Sequence, residues 1–188
     1  MIRKPTAHAV PLADHRTAVR EFASAAGRLD TQSWLRSPGP SRWSPAQITE
    51  HVALYIGAFT ADAGGRAHMA EAFGPWKRFV ARTLFLRRVL RTGEFPQGAI
   101  APRETRPSSS PQQQTDALTA LDRAVGDLEV TVAAHPDATH CQITHPYFGR
   151  LPLPIALRLL ELHARHHLGQ LPRRSVPRGQ DTSAGPRQ

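Results

Sequence analysis

The segment from residue 41 to 63, SRWSPAQITEHVALYIGAFTADA, carries the signals that most restrict how this chain can fold. Ser44 suits the N-cap of a helix, Pro45 fits the first helical position, and Gln47 completes an S-x-x-Q capping box. Apolar residues then recur at spacings of three and four, at Ile48, Val52, Tyr55, Ile56 and Phe59. The segment therefore predicts a long amphipathic helix with one face in a hydrophobic core.

Most of the remaining chain repeats this helical periodicity, and no run alternates convincingly with the period of a strand. Further helices are predicted over residues 14–29, about 76–90, 118–132 and about 153–171. Long irregular connections are predicted over residues 91–114 and 135–154. We therefore expect an all-α fold, a helical bundle with a site built from side chains that point inward.

The two ends of the chain lack the periodicity of the middle. We expect residues 1–11 to form a loose lead-in, residues 12–171 the bundle, and residues 172–188 a disordered basic tail rich in Pro, Gly and Arg. The start has no apolar segment of the signal-peptide type, and the single cysteine, Cys141, suits a reducing compartment. These features predict a cytoplasmic protein without a transmembrane segment.

The charge balance is strongly positive. The chain has 24 Lys and Arg against 15 Asp and Glu, a formal net charge of +9. Such a balance suits nucleic acid, an anionic membrane or an acidic substrate. No nucleic-acid-binding signature accompanies the charge, so we expect no specific nucleic-acid partner.

Histidines occur at two places where helices would turn them inward. His163 and His167 are four residues apart in a predicted helix and therefore share one face. His51 lies on the apolar stripe of the helix that begins near Pro45. Three imidazoles from two helices would form an open metal site of the catalytic type. By itself, however, an H-x3-H pair is a weak signal, and a lone His51 is more often a hydrogen-bonded core histidine.

Neighbouring residues are weaker candidates. His166 points away from His167 and is expected to pack beside the site, and the alternative is that it replaces a neighbouring histidine as ligand. Gln170 can hydrogen-bond a ligand or pack at the helix end. His145, in the segment HPYFGR, is expected to be structural, and the alternative is that its loop reaches the mouth of the bundle. Cys141 is expected to be a small apolar loop residue, and the alternative is a soft metal ligand or a reactive thiol. No carboxylate or general base obviously completes the site.

The segments RWSPAQITEHVALYI and LLELHARHHLGQL resemble the DinB/YfiT-like superfamily of metal-dependent enzymes. The first matches the family's Trp, helix start and first ligand histidine, and the second matches its H-x3-H pair. TGEFPQGAIAP and HPYFGRLPL further resemble an uncharacterised subgroup with HPxFG and HxxHH motifs. The resemblance covers roughly residues 12–171. It implies a four-helix bundle in up-down-down-up order, often a homodimer, and a divalent ion on His51, His163 and His167.

The resemblance also implies a class of chemistry. Some members are S-transferases that use bacillithiol, mycothiol or glutathione, and others are related to metal-dependent isomerases and hydrolases. We therefore expect an enzyme that acts on a small molecule, with thiol transfer to an electrophile as the first hypothesis and hydrolysis as the second. Zinc or nickel suits three imidazoles, and a low-molecular-weight thiol is the expected co-substrate.

The segment WKRFVARTLFLRRVLR, residues 76–91, supports a different hypothesis. It combines basic residues with Phe, Leu and Val and contains no acidic residue. Such a segment can bind an anionic membrane or a partner helix, so the chain is alternatively a binding protein without catalytic activity. The simpler interpretation is a bundle helix whose Arg residues form its solvated face.

Overall fold

The computed structural model describes residues 8–96, 100–135 and 141–172, and four long helices make up nearly half of this part of the chain. The long helices are α1 (Ala9–Gly27), α3 (Pro45–Ala63), α6 (Gln114–Ala133) and α7 (Leu153–Leu168). Shorter elements lie between them: α2 (Thr31–Leu35), α4 (Pro75–Val80), a π-helical turn (Ala81–Leu86), α5 (Arg87–Thr92), a 3-10 turn (Arg103–Thr105), β1 (Gln142–His145) and β2 (Gly149–Pro152). The long helices form a four-helix bundle, which confirms the predicted fold class.

Contacts at the helix ends reveal the direction of three of the four helices. The Gln114 side chain, at the start of α6, donates to the carbonyls of Ala26 and Leu29 at the end of α1, at 2.7 and 3.0 Å. The Ser108 N–H, shortly before α6, donates to Glu50 near the start of α3 at 3.1 Å. Therefore α3 and α6 both begin at the end of the bundle where α1 stops.

The fourth helix, α7, runs in the same direction as α1. Arg165, near the end of α7, donates to Glu21 in the second half of α1 at 2.8 Å. In contrast, Arg16 in the first half of α1 pairs with Glu129 near the end of α6, at 2.5 Å. The four helices therefore run up, down, down and up.

The capping box that the sequence predicts fixes the start of α3. The Gln47 N–H donates to the Ser44 hydroxyl at 3.3 Å, and the Ser44 N–H donates to the Gln47 side-chain oxygen at 3.1 Å. Beyond this start the predicted apolar stripe is buried in the core. The capping box therefore fixes where α3 begins, and burial of the stripe determines which face of the helix turns inward.

A β-hairpin occupies part of the connection that was predicted to be irregular over residues 135–154. β1 and β2 pair antiparallel, with Ile143 opposite Leu151, and both side chains are buried. The Thr144 N–H donates at 2.6 Å to the buried carboxylate of Asp62, which holds the hairpin against the end of α3. The prediction of a chain without strands is wrong because each strand has only four residues, too few for alternation to stand out.

Several element boundaries also differ from the predictions. The first turn of α1 falls within the lead-in predicted for residues 1–11, and the last predicted helix ends at Leu168 rather than at residue 171. The helix predicted over residues 76–90 is interrupted by the π-helical turn. Residues 173–188 of the predicted tail lie outside the described residues, so the division into three regions stays a prediction.

Among the helices of the described residues, none is long and apolar enough to cross a lipid bilayer.

One histidine lies in the core without polar contacts. His15, on α1, is 0 % exposed, and neither ring nitrogen has a hydrogen-bond partner among the described residues. Burial lowers the pKa of His15 from 6.5 to about 4, and the nearby charge of Glu161 opposes the shift only in part. The imidazole is therefore neutral at neutral pH and resists protonation in the folded state.

We predict that His15→Leu stabilises the protein more at acidic than at neutral pH. Because the folded pKa lies below the unfolded one, stability present above about pH 6.5 is lost as the pH falls toward about 4. Between about pH 7 and about pH 5 the variant should gain about 2 kcal/mol relative to the wild type. Urea unfolding followed by circular dichroism measures the difference, with the half-buried His135→Leu as control. An equal gain at both pH values would contradict the prediction.

Candidate metal centre

Helices α3 and α7 bring His51, His163 and His167 together at the end of the bundle where α3 begins and α7 stops. One potential ligand atom from each lies within 4.8 Å of the others. Nε2 of His163 is 3.2 Å from Nε2 of His51 and 3.0 Å from Nε2 of His167. The three histidines selected from the sequence are thus neighbours across two helices, in a group that can hold a metal ion.

The outer nitrogens of His51 and His167 have partners that determine which nitrogen carries the proton. Nδ1 of His51 is 2.6 Å from the Thr105 carbonyl oxygen, and Nδ1 of His167 is 2.8 Å from the side-chain oxygen of Gln170. Both oxygens only accept, so both Nδ1 atoms must donate. A neutral imidazole has one N–H, and the Nε2 atoms of both rings therefore present lone pairs toward His163.

Burial keeps these imidazoles uncharged. Burial, with a smaller contribution from the neighbouring imidazoles, lowers the pKa of His167 to about 3 and that of His163 well below 6.5. Burial also lowers the pKa of His51, although its hydrogen bond to the Thr105 carbonyl opposes the shift. The neutral form is the one that binds a metal ion.

The cluster has fewer protons than its contacts require. If Nε2 of His163 carries the single proton of its ring, it can donate fully to only one of its two neighbours. The Nε2 lone pair of the other ring then lies 3.0 or 3.2 Å from Nε2 of His163 with no hydrogen to accept. A cation between the rings would instead satisfy all three nitrogens. The donor set therefore fits a zinc-like ion, with the outer hydrogen bonds orienting the rings as ligands require.

Gln170 links His167 to the neighbouring histidine in the chain. Its side-chain oxygen accepts from Nδ1 of His167, and its side-chain N–H donates to Nε2 of His166 at 2.9 Å. The ring of His166 lies beside Phe95, with the ring centroids 5.3 Å apart. His166 therefore packs beside the cluster, as the sequence predicts. Of the two roles considered for Gln170, hydrogen bonding to a histidine and packing at the helix end, the structure shows hydrogen bonding.

Tyr55 and His145 also belong to this region, although the sequence analysis assigned them to the core and to a structural loop. The Tyr55 ring is 4.3 Å from the His163 ring between centroids, and its hydroxyl is 2.9 Å from Nε2 of His145. Nδ1 of His145 accepts from the Tyr147 N–H at 3.2 Å. Nε2 of His145 therefore carries the proton and donates to the Tyr55 hydroxyl.

The Tyr55 hydroxyl consequently keeps a proton that no described group accepts. Burial raises the pKa of Tyr55 and lowers that of His145 to about 3, so both stay neutral. The spacing in the sequence offered a signal for Tyr55, because it follows His51 by four residues on the same face of α3. No helical spacing could indicate His145, which reaches the region from the hairpin.

Aromatic rings lie against the cluster, and no described carboxylate joins it. The Trp43 ring is 4.7 Å from that of His51, and the Phe95 ring is 5.9 Å from that of His163, between centroids. Glu50 instead accepts from Ser108, and the buried Glu161 pairs with arginines. The cluster is therefore an apolar, imidazole-only site.

Comparisons with known proteins agree with this fold. The family model described as DinB superfamily matches residues 14–171. The crystal structure of TT2238, described as a four-helix bundle protein, is similar over 86 % of this chain and 95 % of that one. The TM-score is 0.52 and the sequence identity 21 %, so the likeness is one of fold. No curated protein matches.

We predict that metal-free protein holds His51 and His167 as Nδ1–H tautomers and His145 as the Nε2–H tautomer. Long-range proton–nitrogen NMR of the imidazoles distinguishes the two forms. Gln170→Leu should release His167 alone from its tautomer, because it removes the acceptor at Nδ1. Gln32→Leu, at an exposed glutamine of α2, should change none of the three. A protonated Nε2 on His167 in the wild type would refute the assignment.

Proposed function

This chain belongs to the DinB superfamily, and from that premise we propose that it is a metal-dependent enzyme whose ion is bound by His51, His163 and His167. One observation supports the proposal most: the Nε2 atoms of the three histidines lie close together. The Nδ1 atoms of His51 and His167 are already hydrogen-bonded to Thr105 and Gln170, which leaves these Nε2 atoms free to bind an ion. Zinc or nickel is the expected ion. Three ligands leave a position free, as catalytic sites require and structural sites avoid.

The surroundings of the cluster determine what the site can do. When bound, such an ion supplies a Lewis-acid position that lowers the pKa of a coordinated water or thiol. Trp43 and Phe95 place apolar rings against His51 and His163, and electrostatic interactions are stronger beside apolar groups than in open water. The Tyr55 hydroxyl, held by His145, has a proton to donate to a bound molecule.

The reaction we propose is transfer of a low-molecular-weight thiol to a small electrophile. A bond forms between the sulfur and the electrophilic carbon, the leaving group departs with its electron pair, and the thiol proton is released. Glutathione, bacillithiol and mycothiol are the candidate donors, as in the S-transferases that the sequence resembles. The chain's own thiol is a poor substitute, because Cys141 is buried and its pKa is raised by burial.

A metal-dependent hydrolase is the alternative that uses the same site. It requires a base to accept a proton from water. The described acidic side chains nearest in sequence to the ligands, Glu50 and Glu161, are committed to Ser108 and to arginines. This arrangement favours the thiol, which ionises more readily than water and needs less help from a base.

We predict that protein prepared without chelators or a His tag contains about one zinc or nickel ion per chain. His51→Ala and His163→Ala should each abolish this metal content, measured by elemental mass spectrometry. Gln170→Leu should weaken affinity by about 10-fold to 100-fold, because it removes only the outer partner of His167.

His68→Ala is the matched control, since its side chain is largely exposed and pairs with Asp62 away from the cluster. It should keep the metal content of the wild type. Circular dichroism must show that each variant folds. Full metal content in folded His51→Ala would place the ion elsewhere and refute the proposed site.

We predict that cobalt-substituted protein gains a charge-transfer band near the ultraviolet when one of the three thiols is added. Thiolate coordination at the free position is the physical cause. Cys141→Ser should keep the band, which excludes the protein's own thiol, and His163→Ala should lose it. If none of the thiols changes the spectrum of a protein that binds cobalt, thiol transfer is wrong and the hydrolase becomes the better hypothesis.

A further inference from the structure

The segment formed by α4, the π-helical turn and α5, residues 75–92, exposes large apolar side chains to solvent. Trp76 is 75 % exposed, Phe79 60 %, Leu84 61 % and Phe85 46 %. The rings of Trp76 and Phe79 stack on each other, with centroids 6.0 Å apart. Four large apolar side chains exposed on one short segment indicate an interaction surface, whereas single exposed apolar residues need no explanation.

The same segment is basic and contains no acidic residue. Its charged side chains are Lys77, Arg78, Arg82, Arg87, Arg88 and Arg91. Two of them pair with glutamates outside the segment, Arg78 with Glu71 and Arg88 with Glu94. The other four have no acidic partner among the described residues. Positive charge is therefore left uncompensated next to the exposed apolar side chains.

The π-helical turn explains how the segment buries one side and exposes the other. Ala81, Leu86 and Val89 are its buried residues. Ala81 and Leu86 are five residues apart, a spacing that an α-helix spreads over two faces and a π turn brings onto one. The buried side is thus narrow and made of three small or medium side chains. The remaining surface is broad, apolar and cationic.

An anionic lipid surface fits both properties of this face. Exposed aromatic side chains partition into the lipid headgroup region, and the positive charges of Lys and Arg are attracted to anionic lipids. A second copy docked by the same face would bring two faces of the same positive charge together, which disfavours that contact. We propose that residues 75–92 dock the protein on the surface of a bilayer that contains anionic lipid, an interaction independent of the metal chemistry.

Co-sedimentation of the full-length protein with vesicles tests this directly. Vesicles of equal parts phosphatidylglycerol and phosphatidylcholine should bind the protein at least roughly tenfold more strongly than pure phosphatidylcholine. Binding should weaken as salt is raised from about 0.1 M to about 0.5 M, since salt screens the attraction to the headgroups. Equal binding to both kinds of vesicle, or none to either, overturns the proposal.

Charge variants distinguish this face from the general positive charge of the chain. Arg87→Glu/Arg91→Glu should lower binding to the anionic vesicles by roughly tenfold or more. The matched control, Arg20→Glu/Arg123→Glu, makes the same change in net charge at exposed positions of α1 and α6. It should lower binding much less. If both pairs lower binding equally, net charge or another part of the chain is responsible and the proposal fails.

Apolar variants test insertion. Trp76→Ser/Phe79→Ser should weaken binding to the anionic vesicles about tenfold, whereas Val10→Ser/Val130→Ser, at exposed positions elsewhere, should leave it unchanged. Vesicles should also shift the tryptophan fluorescence of the wild type to shorter wavelength, and Trp76→Phe should lose this shift. A concentration-dependent dimer that Trp76→Ser/Phe79→Ser disrupts, with no binding to vesicles, would identify a second copy as the occupant and overturn the proposal.

Discussion

The parallel direction of α3 and α6 is the constraint on which the rest of this structure depends. Two successive long helices that run the same way cannot be joined by a short turn, so the chain between Ala63 and Gln114 must return along the bundle. This return supplies Phe95 beside His163 and the Thr105 carbonyl behind His51. The connection is thus part of the site, and its length follows from the helix order.

The cluster shows how a bundle can place several imidazoles in an apolar interior. Burying a polar ring is costly unless its nitrogens find partners. His51 and His167 each use one nitrogen on an oxygen acceptor and turn the other toward His163. His15 lies in the same bundle with neither nitrogen paired to a described group. Burial alone therefore does not create a site; the difference lies in the fixed direction of the remaining lone pairs.

The sequence predicted features that depend on side chains at helical spacing. These include the cap at Ser44, the shared face of His163 and His167, and the inward position of His51. The sequence could not predict that the Thr105 carbonyl binds His51, because every residue has a backbone carbonyl and none is marked by residue type. The hairpin was missed because its strands are short, and with it the contact of His145 to Tyr55. For residues 76–91 the sequence left two interpretations open, a bundle helix with a solvated Arg face and a binding segment, because the π-helical turn breaks the regular period that would show which residues are exposed.

Gln170 makes the turn that follows α7 part of the histidine cluster, although this turn lies outside the helix. It lies beyond the end of α7, where its N–H bonds to the carbonyl of His167 and its side chain holds the His167 ring. Helix ends open locally far more often than whole domains unfold. Every such opening would free His167 to rotate, so the occupancy of the cluster and the fraying of this turn are thermodynamically linked. An ion bound there would slow amide exchange at the end of α7 while hardly affecting its beginning.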